Sequence, residues 1–215
     1  MPPTLNVLSL DTGVGSDQLN IAGPSTTNHT WDTTNSIQGG SLFLRRLSNQ
    51  IAGKTGGQPE SYINSITYAQ NQTAQFEFAA IPPDATHYAY IWARIQNPGT
   101  GALNGVFCAW NGTGGTTHGY CIANAVTFLS SATIAAPVIG NIIRLEFLSN
   151  VLTMWVFRAG AWAIANQTAM NPYSGGGYVG IELNIGDVSS RLINFQGGDE
   201  NTTSPGVSNF RMCGA

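Results

Sequence analysis

Residues 140–199 read GNIIRLEFLSNVLTMWVFRAGAWAIANQTAMNPYSGGGYVGIELNIGDVSSRLINFQGGD. Three apolar-rich runs of strand length (142–148, 151–158 and 161–165) are separated only by Ser149-Asn150 and Ala159-Gly160. Each interruption is a two-residue hairpin signal. A Gly-rich bend, Ser174-Gly175-Gly176-Gly177, leads into YVGIELNI, which alternates with period two. Val179, Ile181, Leu183 and Ile185 fall on one face, and Tyr178, Gly180, Glu182 and Asn184 on the other. The segment therefore reads as an antiparallel meander with one buried face.

The same punctuation runs through the rest of the chain. Strand-like runs are expected at 4–10, 28–33, 41–46, 61–68, 73–80, 87–96, 103–110, 117–123 and 125–131, then the meander, 190–196 and 206–212. Spacing near ten residues with Gly, Asn and Ser between runs is the signature of a sandwich or barrel. Residues 132–143 have a superficially helical look, but Pro137 and Gly140 break it. At 215 residues, one all-β domain accounts for the whole chain. Residues 1–60 are the least patterned and are expected to hold long loops or an N-terminal arm.

Charged residues are 9% of the chain, 8 basic against 11 acidic, where an ordinary soluble protein carries about 25%. Such a surface offers no long-range attraction to nucleic acid or an anionic membrane. Neutral partners, glycans or other protein surfaces, suit it better. MPPTLNVLSLDTG has no basic n-region and is interrupted by Asp11, so no secretory signal is expected. The uncharged stretch from Ile95 to Ile143 is broken repeatedly by Gly, Asn, Thr and Pro, so no membrane span and no membrane insertion are expected.

Three cysteines make no disulfide framework. If Gly114-Gly115 forms a two-residue turn, Thr113 pairs with Thr116 and Cys108 lies opposite Cys121 in a close, non-hydrogen-bonded pair. Two buried thiols and a cross-strand disulfide both fit that register. Cys213 has no partner on either reading. Sequons at Asn28, Asn71, Asn111, Asn166 and Asn201 arise readily by chance in a chain so rich in Asn and Thr.

The order of these signals resembles a concanavalin A-like (laminin G-like) jelly roll of the type found in bacteriophage structural proteins. AQFEFAAIPPD (74–84) resembles its strand ending in a Leu-Pro turn. YAYIWARIQNPGTG (88–101) resembles the Arg-bearing strand that follows, and VFCAWNGTGGTTHGYCI the Gly/Asn-rich hairpin. GNIIRLEFLSNVLTMWVFRAG (140–160), SGGGYVGIEL (174–183) and NFQGGD (194–199) resemble the closing segments. The resemblance spans about residues 60–199. Gly140-Asn141 and Arg158-Ala159 replace the usual Gly-Asp and Asn-Gly, which changes turn chemistry but not architecture. It implies an all-β, two-sheet antiparallel jelly-roll sandwich, with Trp155, Phe157, Leu145, Phe147, Ile181 and Leu183 among the packed residues.

The fold alone names no activity. Glucanases of this architecture resemble one another in an E-x-D-x-x-E strand, and none of the eleven acids here forms an i,i+2 pair. Glu77, Glu146 and Glu182 sit on polar sides of expected strands, where two can meet across a sheet or pair with Arg144 or Arg94. His87, His118 and Tyr120 offer lyase-like chemistry without matching motifs. No cofactor and no metal are assigned; Asp11/Asp17 and Asp187/Asp199 are the loop acids able to offer oxygens to Ca²⁺. No catalysis is expected, with a glycoside hydrolase or polysaccharide lyase as the alternative.

Binding has better material. In HYAYIWARI, Ala89, Ile91, Ala93 and Ile95 line one face and Tyr88, Tyr90, Trp92 and Arg94 the other. Sugar rings stack their C–H faces on aromatics and bond their hydroxyls to polar groups, so this face, extended by Trp110 and His118, is a candidate carbohydrate site. The competing reading has these aromatics filling the interior. Trp31, Trp155 and Trp162 are assigned to packing. The phage resemblance implies a virion surface protein, tail-associated or capsid-decorating, with other virion proteins and a host-surface glycan as partners. A homo-oligomer is expected.

Overall fold

A computed structural model of the chain describes residues 6–12, 29–39, 43–54, 57–184 and 189–199. The described residues contain strands and no helix, and so no helix long and apolar enough to cross a membrane. The strands are β1 (Asn6–Asp11), β2 (Arg45–Leu47), β3 (Gln50–Ala52), β4 (Glu60–Tyr62), β5 (Gln72–Ala80), β6 (Tyr88–Gln96) and β7 (Asn104–Asn111). They continue with β8 (Gly115–Ile122), β9 (Ala125–Thr133), β10 (Ile142–Leu148), β11 (Val151–Arg158), β12 (Ala161–Ala169), β13 (Tyr178–Leu183) and β14 (Arg191–Asp199).

They form two antiparallel sheets. One runs β12-β11-β10-β5-β14-β3-β2, with β1 also paired to β14; the other runs β4-β13-β6-β7-β8-β9. This is the two-sheet sandwich that the resemblance implied. Two-residue turns set much of the register. Ser149 and Asn150 both take positive φ (51° and 64°), as do Ala159 and Gly160 (51° and 77°). This is the twist that matches strand to strand in a hairpin. Ser48-Asn49 and Ala123-Asn124 make the same turn.

The sheets meet over one apolar core. Ile143, Leu145 and Phe147 of β10 and Leu152, Met154 and Val156 of β11 face Val179, Ile181 and Leu183 of β13 and Ala89, Ile91 and Ala93 of β6. Trp155 and Phe157 depart from expectation. The run 151–157 is continuously apolar, so parity cannot be read from it. Pairing with β10 places Leu145 opposite Met154, which turns Trp155 and Phe157 outward. There, half-buried, Phe157 packs on Trp162 at 5.4 Å, and the Arg144 guanidinium lies 4.5 Å from the Trp162 ring centre. Trp31, by contrast, is in the core.

The early segment is tied down by its polar groups. In the described part of the 28–33 run a bridge joins Trp31 to Ile63, and in the described part of the 41–46 run a strand begins at Arg45 as β2, followed by a β3 not foreseen. Asp11 accepts from Arg46 Nη1 and Nη2 (3.1 and 2.9 Å) and from Trp31 Nε1 (2.7 Å), all three side chains being buried. Asp11 is thus spent on an ion pair. Asp17, Asp187, Cys213 and the 206–212 run lie outside the described residues.

Cys108 and Cys121 are both buried free thiols, but they are not neighbours. The last pair of the β7–β8 hairpin is Trp110↔Thr116, so Cys108 stands opposite His118 and Cys121 opposite Gly105. The five-residue loop 111–115 replaces the expected Gly114-Gly115 turn because Asn111 organises it. Its Oδ1 accepts from the Thr113 and Gly115 amides at 3.1 and 2.7 Å. The register shifts by an odd number of residues, which moves β8's side chains to the opposite faces. Cys121 consequently faces away from the core that holds Cys108.

Candidate functional site

The outward face of the six-stranded sheet carries a second apolar cluster of Ile37, Tyr62, Trp92, Ile95, Leu103, Phe107 and Cys121, with Tyr90 and Tyr178 against it. Alternation along β6 puts Tyr88, Tyr90 and Trp92 on this face, while Ala89, Ile91 and Ala93 enter the core. Of the two readings of HYAYIWARI, the small residues are the ones that fill the interior.

Glycines on adjacent strands let the rings lie down. A Cβ on Gly105 would come within 3.0 Å of the Trp92 ring, and one on Gly119 within 2.8 Å of Phe107. Phe107 sits at the hub, 5.0 Å from Trp92, 5.8 Å from Tyr90 and 5.6 Å from Phe128. Phe128 is 62% exposed and Val126 beside it 47%, an unusual amount of apolar surface to leave in water. Both extend from β9, the last strand of the sheet.

These rings surround a cavity of about 100 Å³ lined by Gln38, Gln58, Tyr90, Trp92, Phe107, Val126, Phe128 and Glu182. Its polar wall is specific. Trp92 Nε1 donates to Glu182 Oε2 at 3.0 Å, and Gln38 Nε2 to the same oxygen at 3.3 Å. Glu182 stands directly opposite Glu60 on β4 and Tyr90 on β6. Glu60 Oε1 accepts from Ser36 Oγ and the Gln38 amide, each at 2.7 Å. Both glutamates are 3% exposed. Burial, followed by the neighbouring Glu60 charge, pushes the Glu182 carboxyl up to about 8 against the bonds from Trp92 and Gln38. Glu60 is raised as well, chiefly by burial. Burial and the nearby Glu182 lift the Tyr90 phenol above its usual range.

The other side chains expected at this site lie elsewhere. At Arg94 the β6 backbone takes φ 54° and the pairing with β7 slips between Ala93 and Gln96, so the alternation reverses. Arg94 is fully buried, its guanidinium between the Phe147 and Tyr173 rings (4.2 and 4.4 Å) and donating to the carbonyls of Tyr173 and Gly175. Trp110 faces the core, 5.9 Å from Phe78. His118 is fully buried between the sheets, with Nε2 2.8 Å from Thr168 Oγ1 and Nδ1 3.2 Å from Ser130 Oγ. The shifted β8 register is what turns His118 inward. Burial keeps its imidazole below the usual range.

Gln38, Gln58, Glu60, Phe107, Val126 and Phe128 were not anticipated. Val126 and Phe128 alternate along β9, a legible signal; the three-residue β4 has no period from which Glu60 is readable. His87 pairs with Asp84 at 2.7 Å, apart from His118 and Tyr120, so a lyase-like set does not assemble. Among the described residues no three His, Cys, Asp or Glu side chains converge to hold a metal.

No protein-family model matches the sequence, and no curated protein matches it significantly. Solved structures do match in fold. The carbohydrate-binding module CBM66 from Bacillus subtilis superposes with a TM-score of 0.55 at 10% identity, over 92% of this chain and all of that one. The VIP36 exoplasmic/lumenal domain, in its Ca²⁺/Man3GlcNAc-bound form, gives 0.58 at 10% identity over 88% of this chain and 92% of that one. The GH43 protein BlXynB from Bacillus licheniformis gives 0.56 at 10% identity, covering 89% of this chain but 39% of that one. The chain has the lectin-like, concanavalin A-like jelly-roll sandwich fold.

Proposed function

We propose that this chain is a glycan-binding jelly roll whose site is the cleft between Tyr90, Trp92, Phe107 and Phe128. The observation that carries the proposal is the convergence of four aromatic rings and three polar side chains, Gln38, Gln58 and Glu182, on one cavity in the outer face of a sheet. Flat apolar surface beside fixed hydrogen-bonding groups is what a sugar ring requires. The low-charge surface and the lectin-like fold support the same reading.

Binding without cleavage is the expected chemistry. Glycosidic hydrolysis needs a second carboxylate at the bond opposite the acid. Glu60, bonded through Oε1 to Ser36 and Gln38, does not line the cleft. The glycoside hydrolase alternative rests on the cross-strand Glu60–Glu182 pair.

The biological setting in this proposal follows the sequence resemblance: one domain over residues 1–215, many copies on a phage particle as a tail-associated or capsid-decorating protein, contacting other virion proteins and a host-surface glycan. Multivalent display raises avidity by roughly 10²–10⁴ without new contacts. A glycan array probed with wild type and Phe128→Ala tests the site: signal that falls at least tenfold in the variant is expected, and equal signal removes the cleft. Mass spectrometry of purified particles tests the setting, and absence of the chain removes it. Reducing ends released from a polysaccharide panel, and lost in Glu182→Gln, would establish the hydrolase instead.

A further inference from the structure

Glu182, in the wall of the proposed cleft, faces Glu60 behind it across the β13–β4 pair, and both are nearly inaccessible. The groups around Glu182 are Glu60 from β4, Tyr90 and Trp92 from β6, and Gln38 and Gln58 from the segments leading to β2 and β4. Tyr62 and Tyr178 come next on the same face. None of these carries a positive charge. Removing one carboxylate from water is costly, and setting a second beside it without a cation is more so. One of the pair must hold a proton. Of the two, Glu60 takes the shorter bonds, a hydroxyl and a backbone amide both donating to Oε1 at 2.7 Å, while its Oε2 is buried without a partner among the described residues. Both donors to Glu182 converge on Oε2, which leaves Oε1 to carry the proton.

We infer, building on the glycan reading above, that Glu182 meets its ligand as an uncharged carboxylic acid held in that form by its burial and by Glu60 across the strand pair, so that the cleft takes a neutral, hydroxyl-bearing sugar ring in preference to an acidic one. The acid gives a donor and an acceptor at one point, the combination a sugar hydroxyl satisfies. An acidic sugar would bring a third carboxylate to a wall that has no Lys, Arg or His among its lining residues. Ionising Glu182 removes the donor and places two charges side by side, so alkaline solution releases the ligand.

Two measurements separate this inference from the reading beneath it. The first is a carboxyl-carbon NMR titration of wild type, Glu182→Gln and Glu60→Gln. One glutamate titrating near pH 8 is expected, absent in Glu182→Gln and moved down by about one unit in Glu60→Gln. Titration of every glutamate below pH 6 overturns the shared proton. The second is binding to immobilised neutral gluco-, manno- and galacto-oligosaccharides and to oligogalacturonate at pH 7 and pH 9. If only the acid form binds, its falling fraction weakens neutral-sugar binding about tenfold over that span, while Glu182→Gln binds at both pH values equally. A flat wild-type profile, or preference for oligogalacturonate, overturns the ligand assignment. No binding to either panel overturns the glycan reading and this ligand assignment with it, while the titration still decides the proton.

Discussion

The indole nitrogen of Trp92 donates to Oε2 of Glu182 at 3.0 Å across the β6–β13 pair, joining the largest ring of the cleft to the carboxyl in its wall. Because the folded protein raises the Glu182 carboxyl from 4.5 to about 8, it holds a proton that the unfolded chain releases. Stability from this group is full below pH 4.5 and is lost as pH rises through 8. Glu60, also raised, acts in the same direction. His118, held neutral by burial, acts oppositely but only below pH 6.5. Urea unfolding should therefore show wild-type stability falling by about 1–2 kcal/mol between pH 6.5 and 8. Glu182→Gln should flatten that slope; an unchanged slope in the variant would assign the protons elsewhere.

The Asp11–Arg46 pair ties β1 directly to β2, and Trp31 Nε1 donates to the same carboxylate. Removing one charge strands the other in a buried site, so Arg46→Ala should cost about 3–5 kcal/mol in chemical denaturation. The Asp11→Asn/Arg46→Met double variant should recover part of that loss. A single-variant cost under about 1 kcal/mol, the level of an exposed pair, would show that the pair is not isolated from water.

Ala159 occupies the first position of a two-residue turn at φ 51° and is exposed. Alanine tolerates that conformation poorly, and asparagine is favoured there before glycine. Ala159→Asn should stabilise by about 0.5–1 kcal/mol, a rise of roughly 1–4 °C in Tm for a chain of this size. A lower Tm would mean that the turn differs from the geometry described.

Arg94 is a structural clamp remote from the cleft. Arg94→Lys keeps the charge but loses the fork to Tyr173 and Gly175 and the stacking on two rings. A loss of about 2–3 kcal/mol with unchanged glycan affinity is expected. Intact stability with weakened binding would return Arg94 to the site.

The hairpins of the meander were legible because Ser149-Asn150 and Ala159-Gly160 leave a two-residue turn little choice. The outward face of β6 was legible as far as Trp92, where period two holds. Beyond it, the pattern hides a single residue of reversed φ, and Arg94 changes faces with no compositional mark. Cys121 and His118 were misplaced together through one register error on β8, and Trp110 through its pairing with the core-facing Ala89 of β6. Nothing in NGTGG indicates that the Asn111 side chain will outcompete Gly114-Gly115 for the turn. Trp155 and Phe157 lie in a run without alternation, so only their pairing to β10 decides their face. Glu60 reaches Glu182 through a three-residue strand whose partner is more than a hundred positions away, a contact that local sequence does not encode.

The most direct test of the cleft uses the five tryptophans as position markers. Trp92 is in the cleft, Trp155 and Trp162 are on the outward side of the other sheet, and Trp31 and Trp110 are in the core. In fluorine NMR of fluorotryptophan-labelled protein, with each resonance assigned by substitution, a glycan identified on the array is titrated in at neutral pH. The account predicts that the Trp92 resonance moves saturably while those of Trp155 and Trp162 stay in place. Movement of Trp162 or Trp155 with Trp92 unmoved would put the binding site on the opposite face and contradict it.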